Sequence, residues 1–325
     1  QAHAALIGVA PQAALPHHVG MRLPDGLTAR PLVLGDARAV YDVMAAQELA
    51  DLGSVEIEEA DIVSDWARPS FDVSAQGIGV LDGDRLVGYA EFARPDRGDA
   101  AVDPEYRGRG IGTALAHWMQ DLARSQGATV VGMPVPVGSA GDRLLESLGY
   151  EVRWHSWVLQ LPEGAEIVDR PLPEGYAVRE ADPSEYPAAH VVKEDAFLEW
   201  SVRDRETYED FRAVVMGRPG FEPWMLRVVT DPAGEVVGVA SASIYTPEDG
   251  DDRPTEAFIS QLAVRRDQRN RGLAQALMAD TFRQARDHGA ATGALSTDSR
   301  TGALSLYERV GMRVIMDWVN RAIAL

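Results

Sequence analysis

The chain has no cysteine and a single lysine, Lys193. Without thiols there is no disulfide, no thiolate nucleophile and no cysteine-based metal site. With one lysine among 31 basic residues, local positive charge has to come from arginine. No apolar run approaches the roughly 20 residues that a membrane-spanning helix needs, so no membrane role is expected. The seven histidines show no H-x-x-x-H or similar ligand spacing, and no metal is expected. Positive charge is scarce overall: 50 acidic residues outweigh the bases and leave a net charge of −19. Like charge repels nucleic acid at long range, whereas a cationic small molecule or amine suits such a chain. The first residue is Gln1, and residues 1–20 are Ala-rich, aperiodic and free of a basic leading segment. They read as a loose extension or cloning remnant, with Met21 as the natural start. A hydrophobic share of 46% over 325 residues is that of a globular protein of about two domains. A cytoplasmic monomer or homodimer is the expectation.

What is present is a sequence written twice. Residues 107–115 read RGRGIGTAL and residues 269–277 read RNRGLAQAL. Shifted by 162 positions, Ala101–Ala128 lies over Ala263–Ala290 without a gap. Arg107 meets Arg269, Arg109 meets Arg271, Gly110 meets Gly272, and farther on Gly149 meets Gly311. Upstream the offset changes but Leu86-Val87-Gly88 still parallels Val236-Val237-Gly238. Units of this length are tandem domains, because solenoid repeats run about 20–50 residues. The Pro/Gly-bearing stretch Pro162–Gly175 marks the join. The expected division is 21–163, a linker at 164–175, and 176–325.

Both copies run through the same elements. A short strand (Leu27–Pro31; Tyr176–Glu180) precedes two helical segments, the second carrying Ile57, Ile62 and Trp66, or Tyr208, Phe211 and Val215. A strand pair turns at a Gly-containing tight loop, and a further strand enters the Arg/Gly loop. The long helix after it has an apolar stripe at Ile111, Leu115, Met119 and Leu122. Another strand, a short helix and a final hairpin are expected to close each unit. Helices mixed with a partly antiparallel sheet make the fold class α+β.

The Arg/Gly loop is a strand-to-helix junction. The first N–H groups of a helix lack intrahelical partners, and the helix dipole makes that end positive. Glycine lets a ligand approach the backbone. Together these form a phosphate cradle. Copy two crowds Arg265, Arg266, Arg269 and Arg271 into seven residues. A Walker loop does not fit, since no Gly-Lys-Ser/Thr triplet occurs, and from Gly108 the Rossmann pattern fails at Thr113.

Arg107-x-x-Gly110-x-Gly112 and Arg269-x-x-Gly272-x-Ala274 resemble the acyl-CoA loop of the GNAT superfamily of N-acetyltransferases. The segment SLYERVGM, Ser305–Met312, is similar to the family's late Leu-Tyr-Glu-x-x-Gly-Phe-like signature. The resemblance covers Met21 to Leu325 as two GNAT-like domains, each a mixed, mostly antiparallel sheet flanked by helices. It implies acetyl-CoA as cosubstrate, with its diphosphate on the loop amides and its pantetheine arm along the preceding strand. Carried onto this chain, the coenzyme residues are Leu262, Ala263, Val264, Arg269, Asn270, Arg271, Gly272, Leu273 and Ala274. The copy-one counterparts are Val102, Arg107, Gly108, Arg109, Gly110, Ile111 and Gly112.

An amine attacks a thioester only when neutral, and a lysine-like amine of pKa about 10.4 is mostly protonated at neutral pH. The site therefore needs a base or must desolvate the amine, and the leaving thiolate needs a proton. Tyr307 stands where the family's general-acid tyrosine stands. Its copy-one counterpart is Leu145, so copy two is expected to be the catalytic one. The position of the base that many relatives carry falls on Phe258; Glu256, on the same face of the strand, is the first candidate. Asp298 and Glu199 are further carboxylates. Phe197 and Trp200 are candidates for an apolar wall around the acceptor, and the acidic stretch Pro247–Asp252 for attracting a cation. The expected activity is acetyl transfer to a primary amine of a small molecule by direct attack in a ternary complex. The tandem architecture is similar to that of the mycothiol synthases, whose acceptor is a cysteinyl aminosugar conjugate. Acetylation of proteins or peptides, and a non-catalytic CoA-binding module, remain open alternatives.

Overall fold

Six strands from each copy join one twelve-stranded sheet in a computed structural model that describes residues 21–93, 95–247 and 253–325. Copy one runs β1 (Leu27–Pro31), α1 (Ala37–Leu52), α2 (Glu59–Trp66), α3 (Val73–Gln76), β2 (Gly77–Asp82) and β3 (Arg85–Ala93). It continues with β4 (Arg97–Val102), α4 (Ile111–Ser125), β5 (Val130–Pro136), α5 (Ala140–Ser147) and β6 (Glu151–Leu161). Copy two repeats the order: β7 (Ala177–Glu180), α6 (Tyr186–Phe197), α7 (Tyr208–Val214), β8 (Leu226–Thr230) and β9 (Val236–Tyr245). Then come β10 (Glu256–Val264), α8 (Leu273–Asp287), β11 (Thr292–Asp298), α9 (Leu304–Arg309) and β12 (Arg313–Ala324). Residues 162–175 carry neither helix nor strand. Ile57 precedes α2 and Val215 follows α7, one or two residues off the expected helices.

The apolar stripe of α4 packs on the sheet, with Ile111, Leu115, Met119 and Leu122 all buried. In α8, Leu273, Leu277 and Phe282 do the same. These helices lie over a sheet that is antiparallel except at one place in each copy. Strand β10 runs parallel to β11 only from Glu256–Ile259 beside Thr292–Leu295. Beyond Ile259 a register irregularity follows, β10 stays with β9, and its contact with β11 ends. In copy one, β4 meets β5 at a single pair, Arg97 and Gly132. Each copy thus has a gap between two neighbouring strands, and the Arg/Gly loop sits above it.

The expected closing hairpin of each copy is absent. Each copy ends in one long strand instead, and the two strands trade partners. The sheet order is β5-β12-β6-β11, so β12 lies between two strands of copy one, while β6 pairs with β11 of copy two. The reason is visible in the cores. Leu159 and Leu161 of β6 are buried in the copy-two core with Phe282 and Tyr307, and Val319 of β12 is buried in the copy-one core. Burial of a leucine side chain contributes about 2 to 3 kcal/mol. Polar ties between the copies add to this: Arg218 pairs with Glu58 and with Asp61 (2.9 Å), and the Ser70 N–H donates to Asp210 (3.1 Å).

The junction before each long helix requires left-handed backbone. Gly110 (φ +89°) and Gly272 (φ +82°) each occupy the position just before the helix. Two residues earlier, Gly108 has φ +74° and its counterpart Asn270 has φ +63°, the one positive-φ non-glycine among the described residues. Asparagine tolerates this region better than other side chains, and β-branched residues tolerate it poorly.

Two outcomes are expected. In denaturant titrations Asn270→Gly should match the parent closely, whereas Asn270→Val should lose about 1–3 kcal/mol; equal stability of the Val variant would contradict the assigned backbone. A fragment spanning 164–325 lacks β6 and should fail to give a monomeric, cooperatively melting species in size exclusion and thermal scans. A well-behaved monomer would show that the strand exchange is dispensable.

Candidate active site

Residues 265–272 climb from the end of β10 to the start of α8. The first helical N–H with a backbone acceptor is that of Ala276, which donates to Gly272 O (3.0 Å). The N–H groups of Leu273, Ala274 and Gln275 have no acceptor among the described residues, and Gly272 brings no side-chain cap. All three residues line a cavity of about 1380 Å³. The arginines around this junction are mostly engaged. Arg265 pairs with Asp267 (2.7 Å), and Arg271 donates to Tyr176 Oη (3.1 Å). Arg269 makes a two-pronged pair with Glu199 (2.7 and 2.9 Å) and donates from Nε to Val264 O (3.2 Å). Glu199, a candidate base, is therefore the partner of Arg269. In copy one, Arg107 has the same relation to Asp51 (2.8 and 2.9 Å). These pairs fix each loop to the helix layer.

The gap below the loop supplies one more amide. The Arg265 N–H donates to Val237 O on β9 (2.8 Å). Successive backbone groups along a strand point to opposite sides, so the Val264 N–H is directed toward the gap beside β11. Leu262, Ala263 and Val264 all line the cavity. Copy one shows the same alternation, with the Asp103 N–H donating to Val87 O (3.0 Å). There, however, the Val102 N–H donates to the side chain of Gln47 (3.1 Å). Gln47, on α1, thus occupies in copy one the hydrogen-bonding position that no described side chain takes in copy two.

Tyr307, on α9, also lines the cavity. It is 9% exposed, and its hydroxyl makes no hydrogen bond among the described residues. Burial pushes its pKa up to about 12. Leu145, on α5 of copy one, is fully buried in the equivalent place. Glu256 is not brought to this group. Its carboxylate accepts hydrogen bonds from Gln160 (2.5 Å) and Thr292 (3.1 Å), at the closed end of the β10/β11 pairing, and it does not line the cavity. Phe258 does. Apart from Asp169 of the linker, the carboxylate that lines the cavity is Asp298, which is paired with Arg300 (2.6 Å).

The expected aromatic wall is present and larger than the sequence indicated. Phe197 and Trp200 both face the cavity, with ring centres 5.3 Å apart. The Arg300 guanidinium lies 3.5 Å from the ring centre of Trp154 and 4.8 Å from that of Trp200. Trp154 comes from β6, and Trp318 and Asn320 of β12 also line the cavity. Trp318 Nε1 and Asn320 Oδ1 are buried and have no hydrogen-bond partner among the described residues. None of these three residues was a site candidate in the sequence, because only the strand exchange brings them here. Most of the acidic stretch Pro247–Asp252 lies outside the described residues. Among the described residues no cluster of metal-ligating side chains occurs, and no helix is long and apolar enough to cross a membrane.

Comparison with known proteins agrees with this architecture. The model of the Acetyltransferase (GNAT) family matches the chain twice, at residues 40–150 and 178–312. A mycothiol acetyltransferase of Salinispora arenicola is 33% identical over 239 residues, covering 70% of this chain and 74% of that protein. A GCN5-related N-acetyltransferase from Sphaerobacter thermophilus superposes with a TM-score of 0.70 at 26% identity, covering 93% of this chain and 97% of the other. A tandem GNAT protein from the clavulanic acid biosynthesis pathway shares the fold, with a TM-score of 0.70 at 21% identity over 92% of this chain and 98% of its own. A repeated strand-gap-helix junction, a tyrosine on the cavity wall of one copy and a doubled family match converge on one conclusion: the chain is a tandem acyltransferase of the GNAT acetyltransferase family.

Proposed function

We propose that the chain transfers the acetyl group of acetyl-CoA to a primary amine of a small molecule, in a ternary complex, at the C-terminal copy. The observation that carries this reading is the joint exposure, in one cavity, of the Leu273–Gln275 amides, the Val264 N–H and the Tyr307 hydroxyl. The amides at the start of α8 receive the diphosphate, at the positive end of the helix dipole. The pantetheine arm runs along Leu262–Val264, where the Val264 N–H polarises the thioester carbonyl and stabilises the oxyanion after attack. The amine nitrogen bonds to the carbonyl carbon and the carbon–sulfur bond breaks. The nitrogen gives up its proton, and the departing thiolate meets the Tyr307 O–H. Because burial holds Tyr307 protonated, it donates to sulfur at neutral pH, and the same apolar surroundings raise the thiolate's own affinity for the proton.

Asp298 is the carboxylate to take the amine proton through water, since it lines the cavity beside Tyr307 and Glu256 does not. Copy one serves as a scaffold: Leu145 has no proton to give, and Gln47 competes for the Val102 N–H that an acyl arm would use. The acceptor enters between the end of α6 and strands β6 and β12. That wall favours a compact, hydrogen-bonding molecule over an extended peptide. Trp318 Nε1 and Asn320 Oδ1, a donor and an acceptor without partners, offer it two hydrogen bonds. The likeness to a mycothiol acetyltransferase favours a cysteinyl aminosugar conjugate as acceptor, in the cytoplasm.

Release of free CoA in the presence of a panel of amines, including such a conjugate, tests the reading. Turnover is expected with at least one of them; a chain that binds CoA but is inert toward all would be a sensor. Tyr307→Phe should slow turnover about a hundredfold while leaving acetyl-CoA affinity nearly unchanged, and unaltered turnover would remove Tyr307 from the chemistry. Since its pKa is raised to about 12, no loss of rate from its ionisation should appear between neutral pH and about pH 10.

A further inference from the structure

The segment between the copies does more than connect them. It runs alongside α8, where Arg286 donates to Ala165 O (2.7 Å) and Arg283 pairs with Asp169. Past the junction, Tyr176 donates to Gln268 (2.6 Å) and accepts from Arg271 (3.1 Å). Between these two anchorages lies Arg170. A Cβ placed on Gly272 would stand 2.9 Å from Arg170 Nε and 3.0 Å from its Cγ, so this side chain lies directly against the residue that starts α8. Arg170, Gly272, Leu273 and Ala274 line the same cavity.

The electrostatics of this contact are unbalanced. Neighbouring Arg265, Arg269 and Arg283 each have a carboxylate, in a chain with 50 acidic side chains. Arg170 has neither an ion pair nor a hydrogen bond among the described residues, and it is exposed. It faces the positive end of a helix dipole and three N–H groups that also lack acceptors. A guanidinium has donors only, and so have those amides. Nothing on either side accepts, so a ligand that replaces water between them has to bring several acceptor oxygens of its own, as an anion does.

We infer that the linker is part of the coenzyme site, with Arg170 closing over the phosphates of the acyl-CoA from the side opposite the α8 amides. This rests on the acyl-CoA reading of the C-terminal copy and adds a residue that neither loop motif contains. Arg170 acts on binding and not on the acyl group. Tethered at Ala165, Asp169 and Tyr176, it reaches the phosphates from outside both domain cores.

The test compares the full-length chain with Arg170→Ala and Arg170→Lys, using calorimetric Kd values for acetyl-CoA and for acetyl-pantetheine, which has no phosphate. Arg170→Ala should weaken acetyl-CoA binding roughly tenfold and flatten its salt dependence. Acetyl-pantetheine binding should not change, and Arg170→Lys should recover part of the loss. Because Arg170 is exposed and has no partner among the described residues, the variants should melt at the parent temperature. Unchanged acetyl-CoA affinity in Arg170→Ala would overturn the assignment, as would an equal loss for both ligands. A parent chain that binds no acetyl-CoA at all would overturn the coenzyme reading itself, and Arg170's role with it.

Discussion

Three amides at the start of α8 have no acceptor among the described residues, a fourth at the end of β10 is directed into the gap beside β11, and the rest of the site is organised around them. An unmet amide buried away from water costs on the order of 1–3 kcal/mol. Such groups persist only where solvent or a ligand meets them. The fold creates them in two steps. Gly272, in left-handed backbone, starts the helix without a side-chain cap. The separation of β10 from β11 beyond Ile259 frees the strand amide beside it. Both features occur in each copy, but copy one has Gln47 on its strand amide and leucine in place of Tyr307. The duplication thus preserved the frame of the junction, and its two halves diverged in what faces the gap.

The strand exchange explains why the second half depends on the first. Strand β6 is hydrogen-bonded to β11 and so forms part of the cavity wall beside the gap. Trp154 reaches the cavity only because β6 has crossed into the other half of the sheet. Its stacking with Arg300, which in turn holds Asp298, links a copy-one side chain to a copy-two carboxylate. A copy with a buried leucine in place of Tyr307 therefore still shapes the cavity of its neighbour.

Much of this was legible in the sequence, and the pattern of success has a physical cause. The junction could be read because it is local: nine contiguous residues specify the turn, the left-handed glycine and the helix start. Tyr307 was picked out by the family-like segment Ser305–Met312, and its counterpart Leu145 by the register of the repeat; the structure puts the tyrosine on the cavity wall. Glu256 shows the limit of a strand argument. Alternation places it on the same face as Phe258, yet says nothing about where along the strand the gap opens. It opens past Ile259, and Glu256 sits at the paired end. Trp154, Trp318 and Asn320 were illegible for another reason. Their positions follow from which strand pairs with which across more than 130 residues of chain, and no local pattern in β6 or β12 records the exchange. Charge counting also overstated the loop, since Arg265 and Arg269 are spent on carboxylates.

Amide hydrogen exchange resolved to single residues, with and without acetyl-CoA, tests the central claim most directly. The account predicts ligand-dependent protection at Val264 and at Leu273–Gln275, with little change at Val102, whose N–H is already bonded to Gln47. Protection confined to copy one, or none at Leu273–Gln275 under saturating acetyl-CoA, would contradict it.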